Sequence, residues 1–419
     1  MSKPLLGCVA DDFTGGTDLA SMLVKSGMRT IQTIGVPQST VLDADAIVVA
    51  LKTRTLPVRD AVTESLEALR WLQRVGCRQF YFKYCSTFDS TPVGNIGPVI
   101  DAMMEELGTD FTIVCPAFPE NGRTVYNGYL FVGDVLLSES GMRNHPLTPM
   151  TDSNLVRVLA PQTKQQVGLV ARSVVAEGRD AIRAGFDRCK EKGQQIAIVD
   201  AIENEDLYRI DEAVADLPLL TGGSGLAIGL ADNFRRTGAL SVSTDAAKLD
   251  PSSGRMVLLS GSCSVATNAQ VEHWLTDHPG FKINPLAIHR AEDLASSAVE
   301  WVMQHDEPVL VYASAKPDEV AQVQQQLGVE AAGQLVEAVL SAIAAGLRER
   351  GFKKFIVAGG ETSGAVVKAL NVKGLRIGAS IAPGVPWTQS LDGEPIALAL
   401  KSGNFGTVSF FEEAMRQCP

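Results

Sequence analysis

The chain has 419 residues, 45% of them hydrophobic and 20% charged, which suits two or three globular domains and excludes a disordered protein. Its formal charge of −11, with no basic run to offset it, excludes a general nucleic-acid binder, and any anionic ligand must be met by local positive charge. No run of about 18 apolar residues occurs, so no membrane span is expected. The seven cysteines show neither C-x-x-C nor His–Cys spacing, which predicts reduced thiols in the cytoplasm rather than disulfides or metal ligands.

The first half alternates strand and helix patterns. Leu5 to Ala10 reads better as a buried strand than as a lipoprotein cleavage site at Cys8, since too few residues precede Cys8 for an apolar h-region and two aspartates follow it. It runs into Asp11-Asp12, and a helix then starts at Thr14 or Gly15 and ends near Gly27. Ile47–Leu51 is a strand that runs into Lys52-Thr53-Arg54. Helical spacing of Ala61, Leu66, Leu69 and Leu72 predicts a helix from Arg59 to Val75, stopped by Gly76. The aromatic strand Phe80–Phe82 breaks into Lys83-Tyr84-Cys85-Ser86-Thr87-Phe88-Asp89-Ser90-Thr91, and a helix follows from Gly97 to Leu107. Thr112–Cys115 runs into Pro116 and then Glu120-Asn121-Gly122-Arg123. Further strands are expected at Val167–Val170, Ile196–Val199 and Leu217–Leu220, with helices near Val175–Lys192 and Glu203–Ala215. Such alternation predicts a mostly parallel sheet with right-handed crossovers.

Residues 238–254 lack a sustained apolar period and carry turn formers at both ends, so a linker is expected there between domains 1–237 and 255–419. The α/β pattern then resumes. Strands are expected at Val257–Leu259, Val309–Val311 and Phe355–Val357, with helices near Val265–Thr276, Ala291–Gln304 and Ala332–Arg350 and another after Glu361. The fold class is α/β: two domains, each with a mostly parallel sheet flanked by helices.

Four strands of the first domain deliver charged or amide groups at the same end. In open α/β sheets ligands bind outside the carboxyl ends of the strands, so this describes a site for a small, polar, anionic molecule. Arg54, Lys83 and Arg123 are the cations that could meet it. One aspartate of Asp11-Asp12 could cap the following helix, but capping does not explain the second. A phosphatase nucleophile, a general base and an acceptor for substrate hydroxyls all remain open for the pair, and Asp89 is divided between a turn role and a ligand role. Gly223-x-Gly225-x-x-x-Gly229 departs from dinucleotide spacing and is better explained as a helix-capping turn.

The second domain has three glycine- and hydroxyl-rich turns, each after an apolar strand: Ser260-Gly261-Ser262, Gly360-Glu361-Thr362-Ser363 and Ser402-Gly403-Asn404. Glycine lets the backbone approach a ligand and a helix N-terminus favours phosphate, so these turns predict a phosphate or nucleotide site without a P-loop.

The segments VADDFTGG (9–16), KYCSTFDST (83–91), GNIG (94–97), PAFP (116–119) with Asn121-Gly122-Arg123, LSGSCS, AGGETSG and KSGNFG together resemble the four-carbon acid sugar kinase family over nearly the whole chain. Within that family the KYCSTFDST version resembles the 3-oxo-tetronate kinase branch rather than the K-I-D-S-T-L-R-G-N version of threonate and erythronate kinases. The resemblance implies an N-terminal sugar-acid domain, a C-terminal domain binding ATP with Mg²⁺, and transfer of a phosphoryl group to the C4 hydroxyl of 3-oxo-tetronate. On that basis Asp12, then Asp11, would serve the attacking hydroxyl. Arg54 and Lys83 would hold the substrate carboxylate, with Ser86, Asp89, Asn121 and Arg123 around it. Ser260, Gly261, Ser262, Gly360, Glu361, Thr362, Ser363 and Gly403 would cradle ATP. The alternatives are a kinase acting on plain threonate or erythronate, and a non-catalytic sugar-acid sensor. The sequence assigns no metal ligand; a homodimer is the base-rate expectation.

Overall fold

The computed structural model describes residues 3–37, 43–145, 147–289 and 293–419, and the chain divides into two compact units, Met1–Ala247 and Lys248–Pro419. The division lies within 238–254, which holds neither helix nor strand.

In the first unit the strands are β1 (Leu6–Ala10), β2 (Thr30–Ile34), β3 (Ala46–Ala50), β4 (Gln79–Lys83), β5 (Thr112–Cys115), β6 (Arg123–Tyr126), β7 (Tyr129–Val132), β8 (Val135–Leu136), β9 (Gln166–Val170), β10 (Gln194–Val199) and β11 (Leu219–Gly222). Eight form one parallel sheet in the order β2-β3-β1-β4-β11-β5-β10-β9, and β6, β7 and β8 form a separate antiparallel sheet. β1 and β3 are buried along their whole length, as parallel strands covered by helices on both faces must be. β2 carries Thr30, Gln32 and Thr33 inside, and their side chains bond the backbone of Met28, Phe13 and Gly35, so its polarity hides a core strand from sequence reasoning.

The helix Val58–Val75 buries Ala61, Ser65, Ala68, Leu69 and Leu72, the i, i+4, i+7 stripe that its sequence lays down. Gly76, at φ +100°, ends it by donating to Gln73 O, while Cys77 N reaches Leu72 O. The helix expected near Val175–Lys192 is in fact two, Arg172–Val175 and Arg179–Glu191, because Gly178 at φ +94° turns the chain between them.

The second unit contains β12 (Arg255–Ser260), β13 (Gly280–Lys282), β14 (Leu310–Tyr312), β15 (Phe352–Ala358), β16 (Gly374–Ala382), β17 (Val385–Ser390) and β18 (Ala397–Lys401), in the order β13-β14-β12-β15-β18-β17-β16. β17 runs antiparallel to both its neighbours, and the remaining pairs are parallel. Trp274, Trp387, Phe410 and Phe411 fill one face of this sheet with Leu258, Ile356 and Ala399. The helix expected from Ala291 is described from Leu294 to Met303; Ala291 itself lies outside the described residues. The helix Val329–Glu349 is long and apolar enough to cross a membrane by length and composition, yet it buries Leu340, Ile343, Ala344 and Leu347 and packs on the helices Leu294–Met303 and Gly360–Ala369.

Candidate functional site

Hydrogen-bond register brings five strand ends of the first unit to one level. Ala10 is paired with Ala50 and Lys83, and Gly222 with Lys83 and Cys115. Everything just beyond those residues therefore emerges along one rim. The chain leaves β1 toward β2 on one side and β4 toward β5 on the other, so a crevice opens between the carboxyl ends of β1 and β4. Asp11, Asp12, Arg54, Lys83, Asp89 and Ser224 all lie at this rim.

Arg54 is the hub. Its Nε donates to Asp11 Oδ2 at 2.9 Å, and Nη2 donates to Asp11 Oδ1 at 2.8 Å and to Asp12 Oδ1 at 2.5 Å. Nη1 faces Asp89 Oδ2 at 3.8 Å. Asn95 fixes the loop that carries Arg54, because its Nδ2 donates to the carbonyls of Thr53, Arg54 and Leu56. Asp12 Oδ2 also accepts from Thr14 Oγ1 at 2.8 Å. Burial works against charge on both carboxyls. For Asp11 burial prevails over Arg54 and pushes the carboxyl up. For Asp12 the Arg54 guanidinium and the Lys83 ammonium outweigh burial and hold it below the usual range.

Lys83 is buried, and its Nζ donates to Tyr84 O at 2.8 Å. A Cβ on Gly15 would overlap Asp12 Oδ1 and lie 3.0 Å from Lys83 Nζ, so that glycine lets ammonium and carboxylate approach across the start of the helix Phe13–Lys25. Phe88 adopts the left-handed region at φ 53°, which costs a bulky residue about 1–3 kcal/mol. Its fully buried ring meets Tyr84 edge-on at 5.4 Å and anchors the turn in which Thr87 Oγ1 bonds Asp89 Oδ1 at 2.6 Å. Ser86 is half-buried at the same turn. Cys85 is also half-buried there, and burial raises its thiol to about 11.

Sequence reasoning misses two residues here. Asp18, two turns into the first helix, lies within electrostatic reach of Lys83, Asp12 and Arg123; burial pushes its carboxyl up, opposed by Lys83. Ser224 faces Asp18 without a well-formed hydrogen bond. Of the glycines read as a capping turn, Gly223 and Gly229 do stand at the N-caps of the helices Ser224–Ala227 and Leu230–Arg236, and two of the set also allow a close approach. Cβ atoms on Gly223 and Gly225 would lie 2.6 Å from Pro116 O and 2.5 Å from Ala117 O, so they let the turn after β11 close onto the turn after β5. Asn121 ends a short 3-10 helix and offers its carbonyl to Arg123 Nη1.

In the second unit Ser260 pairs with Ala358 and Ala358 with Lys401, so the three glycine turns stand side by side on adjacent strands β12, β15 and β18. A Cβ on Gly261 would overlap Thr362 Oγ1, and one on Gly403 would lie 2.7 Å from Ser262 Oγ. Thr267 Oγ1 and Ser264 Oγ both donate to Gly403 O, at 2.8 Å and 2.6 Å. The buried Lys401 donates to the same carbonyl at 2.9 Å, to Ser402 O and to Thr267 Oγ1; burial lowers its ammonium to about 8. The first intrahelical bond of Gly360–Ala369 is made by Ser363 N to Gly359 O, so the amides of Gly360, Glu361 and Thr362 precede the ladder and are oriented as anion donors. Two expected contributors turn inward: Ser260 Oγ is bonded to Ser314 Oγ at 2.7 Å, and Ser363 is fully buried.

A cavity of about 650 Å³ opens beside Gly261, Ser262 and Gly359 to Thr362, with apolar walls from Ile283, Leu286, Val320, Val323 and Val336. Its lining combines the glycine turns, whose backbone amides can donate to phosphate, with apolar surface that suits a flat base. Among the described residues no group of three or more His, Cys, Asp or Glu side chains could hold a metal ion.

Residues 6–230 match a family described as a sugar-binding N-terminal domain, and residues 257–411 one described as a nucleotide-binding C-terminal domain. The chain belongs to the four-carbon acid sugar kinase family. It is 61% identical to a 3-oxo-tetronate kinase of Burkholderia multivorans and 58% identical to one of Cupriavidus necator; each alignment covers 99% of this chain and 97% of the relative. A crystal structure from Salmonella typhimurium LT2 superposes with a TM-score of 0.92 at 47% identity, covering 99% of both chains. A Haemophilus influenzae structure gives 0.85, also at 47% identity, covering 99% of this chain and 100% of that one. The two family descriptions assign sugar binding to the first unit and nucleotide binding to the second.

Proposed function

We propose that this protein transfers the γ-phosphoryl group of ATP to the C4 hydroxyl of 3-oxo-tetronate, giving 3-oxo-tetronate 4-phosphate and ADP. The observation that carries the substrate is identity of 57–61% over almost the entire chain to four relatives named 3-oxo-tetronate kinase. The geometry supports it from both sides: a rim rich in carboxylates and cations for a sugar acid, and glycine turns beside a cavity for a nucleotide.

Phosphoryl transfer is mostly positioning and charge neutralisation. Asp12 is the group for the attacking hydroxyl. Held ionised by Arg54 and Lys83, it is a weak base but a good hydrogen-bond acceptor, so it orients the hydroxyl and takes its proton as the new O–P bond forms and the β–γ bridge breaks. Asp11, clamped by Arg54, sets the position of that guanidinium against Asp12. At the nucleotide end the amides of Gly360, Glu361 and Thr362 and the turn at Gly403 would receive the phosphates. Mg²⁺ would enter on the phosphate oxygens, with the Glu361 carboxylate and Ser262 hydroxyl as protein oxygens at that end, and would neutralise charge there. We place the protein in the cytoplasm, where its seven free thiols would stay reduced.

Phosphorus NMR of the product tests the assignment. A phosphate on C4 couples to two methylene protons and gives a triplet; a doublet, from a phosphate on a CH–O carbon, would refute the C4 assignment.

A further inference from the structure

Arg54 and Lys83 are the cations that the sequence offers most plainly to an anionic substrate, and both are engaged by the protein itself. Arg54 makes three hydrogen bonds to Asp11 and Asp12 and faces Asp89 as well. Lys83 is 3% exposed, donates to Tyr84 O and stands against Asp12.

Arg123 differs. Among the described residues it forms no ion pair within 4.0 Å. Nη1 donates to Asn121 O in its own turn, and among the described residues the buried Nε has no partner and no hydrogen bond engages Nη2. The residue is half-buried at the start of β6, just past the end of β5. It follows β5, whose carboxyl end stands level with those of β11 and β4 at the rim, and Asp18 lies within electrostatic reach of Arg123, Lys83 and Asp12. Asp18 is the group that would oppose an anion there. Burial pushes its carboxyl up, and Lys83 offsets the charge that remains.

We infer that Arg123 binds the substrate carboxylate and sets the preference for a sugar acid over a neutral sugar of the same length. This rests on the kinase reading above. The Nε–Nη2 edge of Arg123 makes no hydrogen bond among the described residues, an arginine edge of this kind can take a carboxylate in a bidentate grip, and the bond from Nη1 to Asn121 O need not break for it to do so. Arg54, whose Nε and Nη2 are taken by Asp11 and Asp12, could offer a bidentate edge only by releasing one of them.

The test compares 3-oxo-tetronate with erythrulose, the neutral ketose in which the carboxylate is replaced by CH₂OH, in the full-length protein with saturating ATP. Arg123→Gln should raise KM for the acid about a hundredfold, as loss of a charge-assisted contact does, and change KM for the ketose by less than about threefold. Arg123→Lys should recover part of the preference, since it keeps the charge without the fork. Equal losses for both sugars in the two variants would mean a merely structural role and overturn the inference. So would an unchanged preference. A wild-type protein that turns over neither compound, and binds no sugar acid by calorimetry, would instead sink the kinase reading and this inference with it.

Discussion

Arg54 closes a two-bond clamp on Asp11, Nε to Oδ2 at 2.9 Å and Nη2 to Oδ1 at 2.8 Å, across 43 residues of sequence. The clamp ties the loop after β3 to the loop after β1 and leaves Nη2 on Asp12 at 2.5 Å. An arginine held this way builds the site, with only Nη1 left outside the bonds to Asp11 and Asp12.

Replacing Arg54 should therefore cost stability before it costs binding. Arg54→Met strands Asp11 and Asp12 beside each other, and breaking a mostly buried pair of this kind costs about 2–4 kcal/mol. Denaturant unfolding of the first-unit transition measures it. Arg123→Gln, which breaks no ion pair, should lie within about 1 kcal/mol of wild type.

Asp12→Asn keeps a hydrogen-bonding side chain next to Arg54 but removes the proton acceptor. Turnover should fall about 10²- to 10⁴-fold with little change in KM for either substrate. Steady-state kinetics with a melting curve check it; near-normal turnover in a folded variant would remove Asp12 from the chemistry.

Gly261→Ala places a methyl group on Thr362 Oγ1. KM for ATP should rise about tenfold or more while sugar-acid binding, read by calorimetry without nucleotide, stays put. Thr362→Ala removes the obstructing oxygen, so Gly261→Ala should do less damage in that background.

The buried Lys401 yields a pH prediction. Its ammonium is lowered from 10.5 to about 8 by burial, so between those values the unfolded chain binds more protons than the folded one. Stability then rises with pH through that window, and below pH 8 the full cost of burying the charge is present. Measured against Lys401→Met, the Lys401 contribution should improve from pH 8 to about 10; a flat difference would contradict it.

Much of this was legible in the strand ends. Apolar runs that stop in Asp11-Asp12, Arg54, Lys83 and Arg123 announce a rim, and the three glycine turns announce a phosphate end. Pairing was not legible. Nothing local to Arg54 says that two aspartates 42 and 43 residues away will take up its donors. Asp18 sits mid-helix, where an acid reads as solvated surface, and Ser224 lies in a glycine turn that looks like a cap. The β16–β17 hairpin and β2 also escaped, because their buried threonines, glutamines and serines find partners in the fold and break the apolar run that marks a core strand.

The most direct measurement is ADP production by the purified protein with Mg-ATP, offered 3-oxo-tetronate, D-threonate, D-erythronate and L-threonate in turn. Strong turnover of the oxo acid alone is the expected result. Turnover of a plain tetronate in preference to it would contradict the assigned substrate while keeping the chemistry, and silence across the panel with ATP still bound would contradict catalysis itself.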